Sequence, residues 1–417
     1  MSDHNQKLFG RRTVLKFSAT AAISALAAPA YLRQALASET IKLGCIMDET
    51  GPLSLEGKPM AQTTKLAVDE LNAAGGLLGR QIEMISYDTQ STMQLYTQYA
   101  QRLALQDKVD VVHGGLTSAS REAIRPIFGR ARIPYFYNTL YEGGVCDRNT
   151  FCTGTTPAQT VNHLVEHGLK NWGKKTYVLA ADYNFGQITT DWVRKFMAAG
   201  GGSVVGADFF PLDATNFSST ISRIQSAAPD FVVTVLVGGA QTGFYQQWES
   251  AGMKSKIPLA SNVFGLSNEI NSMPTSTTDG IVTCYGWYPG IDTPASKSFV
   301  EKMEKQFGSD LTGMSELDVT TYDGIMFWAQ AVKKAGSLDR EAVLAALESG
   351  LSYDGPGGAV SLDPATHHTI RSTYLGQPKD RKWQVMETFA HQIPSDSGGQ
   401  CDLKANPRLN KQFTPVI

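Results

Sequence analysis

The sequence predicts an α/β protein of two lobes, each built on a parallel β-sheet with helices packed on both faces. The chain has 417 residues, a length that favours two domains over one. Apolar strand patterns and amphipathic helix patterns alternate over residues 41–137, which is the order that produces a parallel sheet. The same alternation starts again at residue 176. We therefore expect two lobes of the same type, with a chain crossing between them.

Four strands and three helices are expected in the first lobe. The strand segments are apolar or alternate with period two, and the helical segments carry apolar residues at helical spacing. Strands are predicted at 41–47, 81–87, 109–113 and 134–137, and helices at 59–74, 93–106 and from about residue 117. A polar turn and a glycine bend follow the last strand. We expect residues 135–154 to form the floor of a ligand site.

The second lobe repeats this order, and the last part of the chain adds further elements. Strands are predicted at 176–181, 203–210, 230–237, 257–260 and 280–285, and helices at 185–199, 218–228 and 240–252. Three more helices are predicted at 295–307, 316–335 and 339–348, and two more strands near 358–362 and 370–377. The polar tail from residue 391 contains Pro, Asn and Gly, so we expect no regular structure there.

The first 37 residues are predicted to be an export signal and not part of the fold. Residues 10–17 carry a twin-arginine pattern, an alanine-rich apolar segment follows, and residues 35–37 offer small side chains for cleavage. The alternative is a basic disordered tail with an accidental Arg-Arg pair, but the three parts occur in the order that a signal requires. We therefore predict export to the periplasm by the twin-arginine pathway.

The charge of the mature chain bears on its partners. Cleavage after Ala37 removes five basic residues and one acidic residue, which changes the net charge from −2 to −6. An acidic exported protein is a poor binder of nucleic acid and of anionic membrane surfaces. No apolar run is long enough to span a bilayer. We therefore expect no nucleic-acid partner and no membrane insertion after signal cleavage.

The five cysteines are expected to include one disulfide bond, because the exported compartment is oxidising. Cys146 and Cys152 close a small loop and are the predicted pair. Cys45 and Cys284 lie in apolar strand-like runs and are predicted to be buried thiols. Cys401 lies in the polar tail and is given no partner. The odd count leaves at least one thiol free within a monomer.

Ligands of open parallel sheets bind beyond the carboxyl ends of strands, beside helix N-termini. Thr117 and Ser118 stand at such a position. Ser and Thr are favoured there as N-caps in any case. Their hydroxyls and the free N–H groups of a helix start can also hold a carboxylate or carbonyl oxygen. The two roles are compatible, and the strand-end position favours ligand binding.

Four aromatic residues also fall at predicted strand ends, and they come from both lobes: Tyr137, Tyr141, Tyr183 and Phe185. A single aromatic residue is by default a core residue. Four at these positions are better explained by a shared cleft, because tyrosine supplies an apolar wall and one hydroxyl. Such walls suit a small polar or flat solute.

Two other patterns favour a structural interpretation. Residues 163–167 match the H-x-x-E-H zinc pattern, and helical spacing puts His163 and His167 on one face. Short matches are common and no third ligand accompanies this one, so a zinc hydrolase is the weaker hypothesis. Residues 238–243 are glycine-rich but lack the lysine and the spacing of a phosphate loop. We expect neither a metal nor a cofactor.

Four segments carry a resemblance to a known family. They are residues 48–52 (Asp-x-x-Gly-Pro), 66–88 (LAVDELNAAGGLLGRQIEMISYD), 114–118 (Gly-x-x-Thr-Ser) and 182–186 (Asp-Tyr-x-x-Gly). In this order they resemble the leucine-binding family of periplasmic binding proteins, over essentially the whole mature chain. The resemblance implies two Rossmann-like lobes with a three-crossing hinge, and capture of a small solute for an ABC importer. Its partners would be membrane permease subunits.

Within that family, residues 137–143 and 290–296 resemble the short-chain amide and urea branch. Leu140 stands where that branch has proline, and Phe185 stands where it has a second tyrosine. The resemblance implies contacts from both lobes with the ligand. Matched position by position, these contacts are Thr117, Ser118, Tyr137, Thr139, Tyr141, Tyr183 and Phe185.

We therefore predict a solute-binding protein that closes its lobes on an amide, a urea-like solute or a small carboxylate. An amino-acid ammonium would need an acid on the second lobe, for which Asp182 and Glu269 are candidates. A branched-chain amino acid is the alternative solute, and a ligand-sensing subunit of a membrane signalling system is the alternative function. The predicted division is 38–155 plus 287–360 for lobe 1, 156–286 plus 361–390 for lobe 2, and 391–417 for the tail.

Overall fold

The computed structural model describes residues 40–417, so the predicted export signal at residues 1–37 lies outside the described residues. The described chain folds into two large sheets flanked by helices, with a small two-stranded sheet at one side. Over residues 40–417, no helix combines the length and the hydropathy that crossing a bilayer would require. The two large sheets agree with the α/β class expected from the alternating patterns.

The first large sheet is five-stranded and parallel throughout. The strands in this part of the chain are β1 (Ile41–Met47), β2 (Ile82–Asp88), β3 (Val111–Gly114), β4 (Tyr135–Tyr137), β5 (Val145–Asp147) and β6 (Thr150–Cys152). The sheet order is β2-β1-β3-β4-β6. The helices between them are α1 (Ser54–Ala73), α2 (Met93–Arg102), which continues as a π-helical turn (Leu103–Asp107), and α3 (Ser118–Ala131). The carboxyl ends of β1, β3 and β4 therefore meet at one edge.

The second large sheet has nine strands and is mixed. Its strands are β7 (Lys175–Ala181), β8 (Ser203–Phe210), β9 (Phe231–Val235), β10 (Leu259–Ser261), β11 (Val282–Tyr285), β12 (Ser352–Gly355), β13 (Gly358–Leu362), β14 (Thr369–Lys379) and β15 (Lys382–Gln392). Strands β7 to β11 form the predicted parallel part. Strands β12 to β15 extend it with antiparallel pairs. Only β13 and β14 of these four were expected, because β15 is largely exposed and lacks an alternating apolar pattern.

The remaining helices cover the sheets. They are α4 (Val161–Asn171), α5 (Asn184–Ala199), α6 (Ser218–Ala227), α7 (Gly239–Ser250), α8 (Glu269–Ser272), α9 (Thr275–Thr278), α10 (Pro294–Phe307), α11 (Glu316–Ala335) and α12 (Arg340–Leu347), with a 3-10 turn at Gly308–Asp310. Helices α10 and α11 pack on α1, beside the first sheet. One continuous apolar cluster joins β1, β7 and α11, with Met47, Val178 and Leu317 among its buried members. The two sheets therefore share a core.

Two buried carboxylates on α11 hold the chain crossings between the sheets. Glu316 accepts hydrogen bonds from the Thr155 hydroxyl and from the backbone N–H of Gly286, so it joins the first crossing to the segment after β11. Two turns further along, Asp323 forms an ion pair with Arg371 of β14, with 2.6 Å between Oδ2 and Nη2. These contacts stabilise the hinge region because each buried charge has a partner.

The predicted bridge between Cys146 and Cys152 is wrong. Cys146 is bonded to Cys401, with 5.7 Å between their Cα atoms, and Cys152 is a buried free thiol, as are Cys45 and Cys284. Cys146 packs in a small cluster with residues of the tail, whereas Cys152 packs with the aromatic residues of the floor. The two side chains thus belong to different clusters, although they are close in sequence.

The tail is also more regular than predicted. Strand β16 (Asn410–Gln412) pairs antiparallel with β5, and the backbone N–H of Phe413 donates to the carbonyl of Gly144 over 2.8 Å. The pairing and the disulfide hold the tail against the bend that follows the floor. This strand lies at a sheet edge and is mostly exposed, so its residues are polar and carry no apolar pattern from which a strand could be predicted.

Candidate ligand-binding site

The N-terminus of α3 supplies hydrogen-bond donors at the end of β3. Thr117 is the N-cap, its Oγ1 accepts from the backbone N–H of Ser120 over 3.0 Å, and the Ser120 hydroxyl completes a capping box. The N–H groups of Ser118 and Ala119 are left without intrahelical acceptors, as at any helix start. The helix dipole adds positive potential there. This end of α3 is therefore suited to an anionic or carbonyl oxygen.

The floor residues use their hydroxyl hydrogens within the protein. The Tyr137 hydroxyl donates to the carbonyl of Leu116 over 2.9 Å, and the Thr139 hydroxyl donates to the carbonyl of Gly115 over 3.2 Å. The Ser118 hydroxyl donates to the carboxylate of Glu142. These three hydroxyls are therefore held in fixed orientations, and their remaining capacity is to accept hydrogen bonds.

A cavity lies between the strand ends of the two sheets. The empty space within it is about 440 Å³ when its opening to solvent is counted. The walls are mainly apolar and come from both sides of the cleft. The lining residues are Leu53, Glu56, Leu116, Thr117, Ser118, Tyr137, Thr139, Leu140, Tyr183, Phe185, Val237, Val263, Leu266 and Leu317. None of these described residues carries a positive charge.

Six of the seven predicted contact residues line this cavity, and Tyr141 does not. The Tyr141 hydroxyl contacts His368 and accepts from the backbone N–H of Val145, and the Arg121 guanidinium lies 4.5 Å from its ring centroid. Tyr141 therefore supports the floor from behind. The chain then turns through Gly143 and Gly144, both with positive φ.

The sequence analysis missed Glu56, the one acidic residue in the lining of the described cavity. Glu56 lies in the first turn of α1, and its Oε2 is buried without a hydrogen-bond partner among the described residues. Burial raises the pKa of this carboxyl to about 8, and the nearby carboxylates of Glu269 and Asp48 add to the rise. Its position just after the Asp-x-x-Gly-Pro loop, at the end of β1, was the available signal.

A second cavity adjoins the first and shares Leu53, Thr117 and Tyr183 with it. Asp182 borders this outer space and accepts from the Gln187 amide over 3.1 Å. The outer space connects the inner cavity with the strand ends of β7 and β8. Together the two cavities form a continuous cleft between the sheets.

Glu269, the other acid proposed from the sequence as an ammonium partner, is already satisfied. Its Oε1 accepts from the Gln241 amide over 2.7 Å and its Oε2 accepts from the backbone N–H of Ser267 over 3.1 Å. Burial raises the pKa of the carboxyl. Glu269 thus stabilises its own loop and is not among the residues that line the inner cavity.

A buried ion pair lies behind the floor. The Arg121 Nη2 is 2.8 Å from Oε1 of Glu142, and both side chains are completely buried. Glu142 also accepts from the Gln412 amide of the tail over 2.6 Å, and its backbone carbonyl accepts from the Trp192 indole over 2.9 Å. Glu142 therefore joins α3, the tail and α5. These contacts anchor the bend that follows the floor.

The histidines of the zinc-like pattern have structural partners. His163 stacks on Phe389 at 3.6 Å between ring centroids, and its Nε2 lies 2.9 Å from Oε1 of Gln392. His167 packs edge-on against Trp172. Within residues 40–417, no group of three or more His, Cys, Asp or Glu side chains is arranged to hold a metal ion.

Two sheets with a cleft between their strand ends, joined by buried hinge contacts, match the architecture expected of a two-lobed solute-binding protein. The sequence profile described as periplasmic binding protein matches residues 40–382. The chain therefore belongs to the periplasmic binding protein family. It is a periplasmic solute-binding protein of the ABC-transporter type, whose members bind small molecules and act with membrane permeases.

Three known proteins illustrate the similarity. Leu/Ile/Val-binding protein homolog 6 of Brucella abortus is 25% identical over 362 residues, which cover 85% of this chain and 91% of that protein. A solute-binding protein of an ABC transporter from R. palustris, solved with 4-hydroxybenzoate, is 26% identical with a TM-score of 0.77. Another, from Rhodopseudomonas palustris BisB5, was solved with 3,4-dihydroxybenzoic acid and is 25% identical with a TM-score of 0.76. Both alignments cover 85% of this chain and 98% of the other. These homologues are solute-binding proteins and not enzymes.

Proposed function

We propose that this protein captures a small carboxylate with an apolar body, and that the two lobes close on it. The observation that carries the proposal is the cavity: the N-terminus of α3 opens into a space whose other walls are mostly apolar side chains from both sheets. The donors of α3 would hold the carboxylate, as helix N-termini hold anions elsewhere. The apolar walls would cover the rest of the solute.

Among the solute classes predicted from the sequence, the lining favours the small carboxylate over amides and ureas. An amide or urea needs several paired donors and acceptors, whereas the Tyr137 and Thr139 hydroxyl hydrogens are already donated to carbonyl groups. The solved relatives bound to hydroxybenzoates support an aromatic body. Tyr137, Tyr183 and Phe185 supply the flat walls that such a body would contact.

The two lobes are expected to close on the solute because the walls of the cavity come from both of them. Leu116, Thr117 and Tyr137 come from the first sheet and its loops, and Tyr183 and Val237 come from the second. A solute that touches both sides has more contacts in the closed state, so it shifts the population towards closure. The closed form would then dock on the permease. We assign residues 38–155 and 287–360 to one lobe, and residues 156–286 and 361–390 to the other. Strand β12 and part of β13 lie within the range of the first lobe but contribute to the sheet of the second.

A branched-chain amino acid is the second candidate solute, because the curated relatives are homologues of Leu/Ile/Val-binding proteins. Its carboxylate would occupy the same donors, and its ammonium would need an acceptor in the cavity. Glu56 is the acidic residue positioned for that role, since Asp182 and Glu269 have partners of their own. The two candidates therefore differ in their second polar group.

The proposal is tested by a thermal-shift screen of amides, ureas, amino acids and aromatic acids, followed by calorimetry. A solute that binds the native state raises the unfolding midpoint. Thr117→Ala is expected to weaken binding by roughly 1–3 kcal/mol, because its hydroxyl pairs with a buried polar group of the solute. Tyr183→Ala should also weaken binding, whereas Tyr183→Phe keeps the wall and is the matched control. Unchanged affinity in both alanine variants would contradict the proposed site.

A role in transport is distinguished from a role in sensing by measuring the uptake of radiolabelled solute in cells that contain this protein and in cells that lack it. Loss of uptake on deletion supports the importer role, whereas normal uptake with loss of a transcriptional response would favour a sensing subunit.

We also propose export by the twin-arginine pathway. Replacing Arg11 and Arg12 by lysine should leave the precursor in the cytoplasm, and normal export of that variant would contradict this route.

A further inference from the structure

Glu56 is the acidic residue in the described lining of the inner cavity, and its hydrogen-bonding capacity is unmet. Its Oε2 is buried and has no partner among the described residues. Its side chain lines the same space as Thr117 and Leu266. A buried polar atom without a partner destabilises the protein, so a native structure retains one chiefly where something else supplies the partner.

The protein around Glu56 offers no cation. The described lining residues include no Lys, Arg or His, and the charged groups that act on Glu56 are the carboxylates of Glu269 and Asp48. Asp48 is satisfied by the backbone N–H of Ser91 and by the hydroxyls of Thr89 and Tyr96. Glu269 is satisfied by Gln241 and Ser267. Both neighbouring carboxylates are thus engaged elsewhere and have no hydrogen to donate, so neither is a partner for the free oxygen of Glu56.

The apolar character of the remaining walls limits where that donor can come from. Leu53, Leu266 and Leu317 are apolar neighbours in the lining and carry no side-chain donor. The Tyr137 hydroxyl already donates to the carbonyl of Leu116, and the Tyr183 hydroxyl on the opposite wall makes no hydrogen bond to the free oxygen of Glu56. The remaining partner for the free carboxyl oxygen of Glu56 is therefore a solute that fills the cavity.

We infer that the solute carries a hydrogen-bond donor in addition to its carboxylate, and that Glu56 accepts from this donor and selects for it. The inference rests on the proposed function, because it places the carboxylate at the N-terminus of α3. The solute class is an acid with an apolar body and a second group that is either a hydroxyl or an ammonium. Both groups donate a hydrogen bond to a carboxyl oxygen, and the experiment distinguishes them.

The experiment compares two matched pairs of probes by calorimetry at pH 7. One pair is 4-hydroxybenzoate and benzoate, which differ by a hydroxyl. The other pair is L-leucine and 4-methylpentanoate, which differ by an amino group. In the wild-type protein, the member of one pair that carries the extra donor should bind at least about tenfold more tightly than the member that lacks it. The analogue without the donor binds less tightly because it leaves the Glu56 oxygen without a hydrogen-bond partner.

Two variants of Glu56 then identify the donor. Glu56→Leu should reduce the preference within that pair to about twofold or less, since the acceptor is gone. Glu56→Gln keeps a carbonyl acceptor of the same shape, so a hydroxyl preference should survive in it and an ammonium preference should be lost. Glu301→Leu, at an exposed position on α10, is the control and should keep wild-type preferences. Because Glu56→Gln is isosteric, it remains informative if Glu56→Leu does not fold.

The outcomes separate this inference from the proposed function. Tight binding without a preference in either pair would overturn the inference and leave the solute cleft intact. A preference that survives in Glu56→Leu would also overturn it. Failure of the wild-type protein to bind any of the four acids would overturn the proposed function itself, and the inference with it. Loss of the preference in Glu56→Leu but not in Glu301→Leu would support both.

Discussion

Two carboxyl groups, one behind the floor of the cleft and one in its wall, differ in their surroundings. Glu142, behind the floor, forms an ion pair with Arg121 and accepts from Ser118 and from Gln412. Glu56, in the wall, has a buried oxygen without a partner. A buried charge with a full set of partners holds structure in place. A buried carboxyl without them is available to a ligand, and this difference assigns Glu142 to the framework and Glu56 to the solute.

Removing the partner of the framework carboxylate should have the largest effect. Arg121→Ala leaves Glu142 buried and unpaired, so we expect the free energy of unfolding to fall by about 3–5 kcal/mol. Chemical denaturation of the purified protein measures this change. Arg121→Ala combined with Glu142→Ala should recover part of the loss, and full additivity of the two single losses would contradict the pairing.

The disulfide that fixes the tail beside Glu142 should contribute the next largest effect. Cys401→Ser opens a bridge with a sequence separation of 255 residues, and we expect a loss of about 2–4 kcal/mol. Denaturation curves with and without a reducing agent check the result. Reduction should destabilise the wild-type protein by a similar amount and should leave Cys401→Ser unchanged. An equal effect of reduction on both proteins would contradict the bridge.

Thr117→Ala should have a smaller effect on stability and a separate effect on binding. The variant loses the N-cap of α3, which costs about 1 kcal/mol of unfolding free energy. Thr117→Ser retains the hydroxyl and should retain both the cap and the affinity. If Thr117→Ala lowers stability but binds the solute normally, the hydroxyl caps the helix and does not contact the ligand.

Glu56→Gln should change stability least at acidic pH, where Glu56 is protonated in both the folded and the unfolded protein. The pKa of Glu56 is raised in the folded state to about 8 from an ordinary value of 4.5. The folded protein therefore binds more protons between these values, and wild-type stability falls as the pH rises from about 4.5 to 8. Glu56→Gln removes this contribution, so its stability should decline less than that of the wild type. Parallel pH profiles of the two proteins would contradict the raised pKa.

The parts of the fold that follow local patterns could be predicted from the sequence. The alternation of strands and helices predicted the parallel parts of both sheets, and Thr117 was recognised as a helix start because its residue type and its position after a strand agree. Five of the six correctly predicted lining residues stand at strand ends and follow from the same rule, whereas Thr139 was named from the family resemblance. Local pattern carries this information because parallel strands end at a common edge.

The errors concern contacts that join distant segments. Cys146 meets Cys401 across most of the chain, and β16 pairs with β5, which neither spacing nor polarity indicated. Glu56 was missed because an acidic residue in the first turn of a helix is common at the surface, where it favours the helix dipole. Its burial arises only when the second lobe supplies Leu266 and Val237 on the other side of the cleft.

The most direct test of the central comparison is a carbon-13 NMR measurement of the glutamate side-chain carboxyl resonances during titration with the tightest-binding acid. Glu56→Gln and Glu142→Gln identify the two resonances. We expect the Glu56 resonance to move as the solute saturates the protein, because the solute donates to its free oxygen. The Glu142 resonance should stay in place, because its partners are within the protein. A stationary Glu56 resonance in the saturated protein would contradict the account.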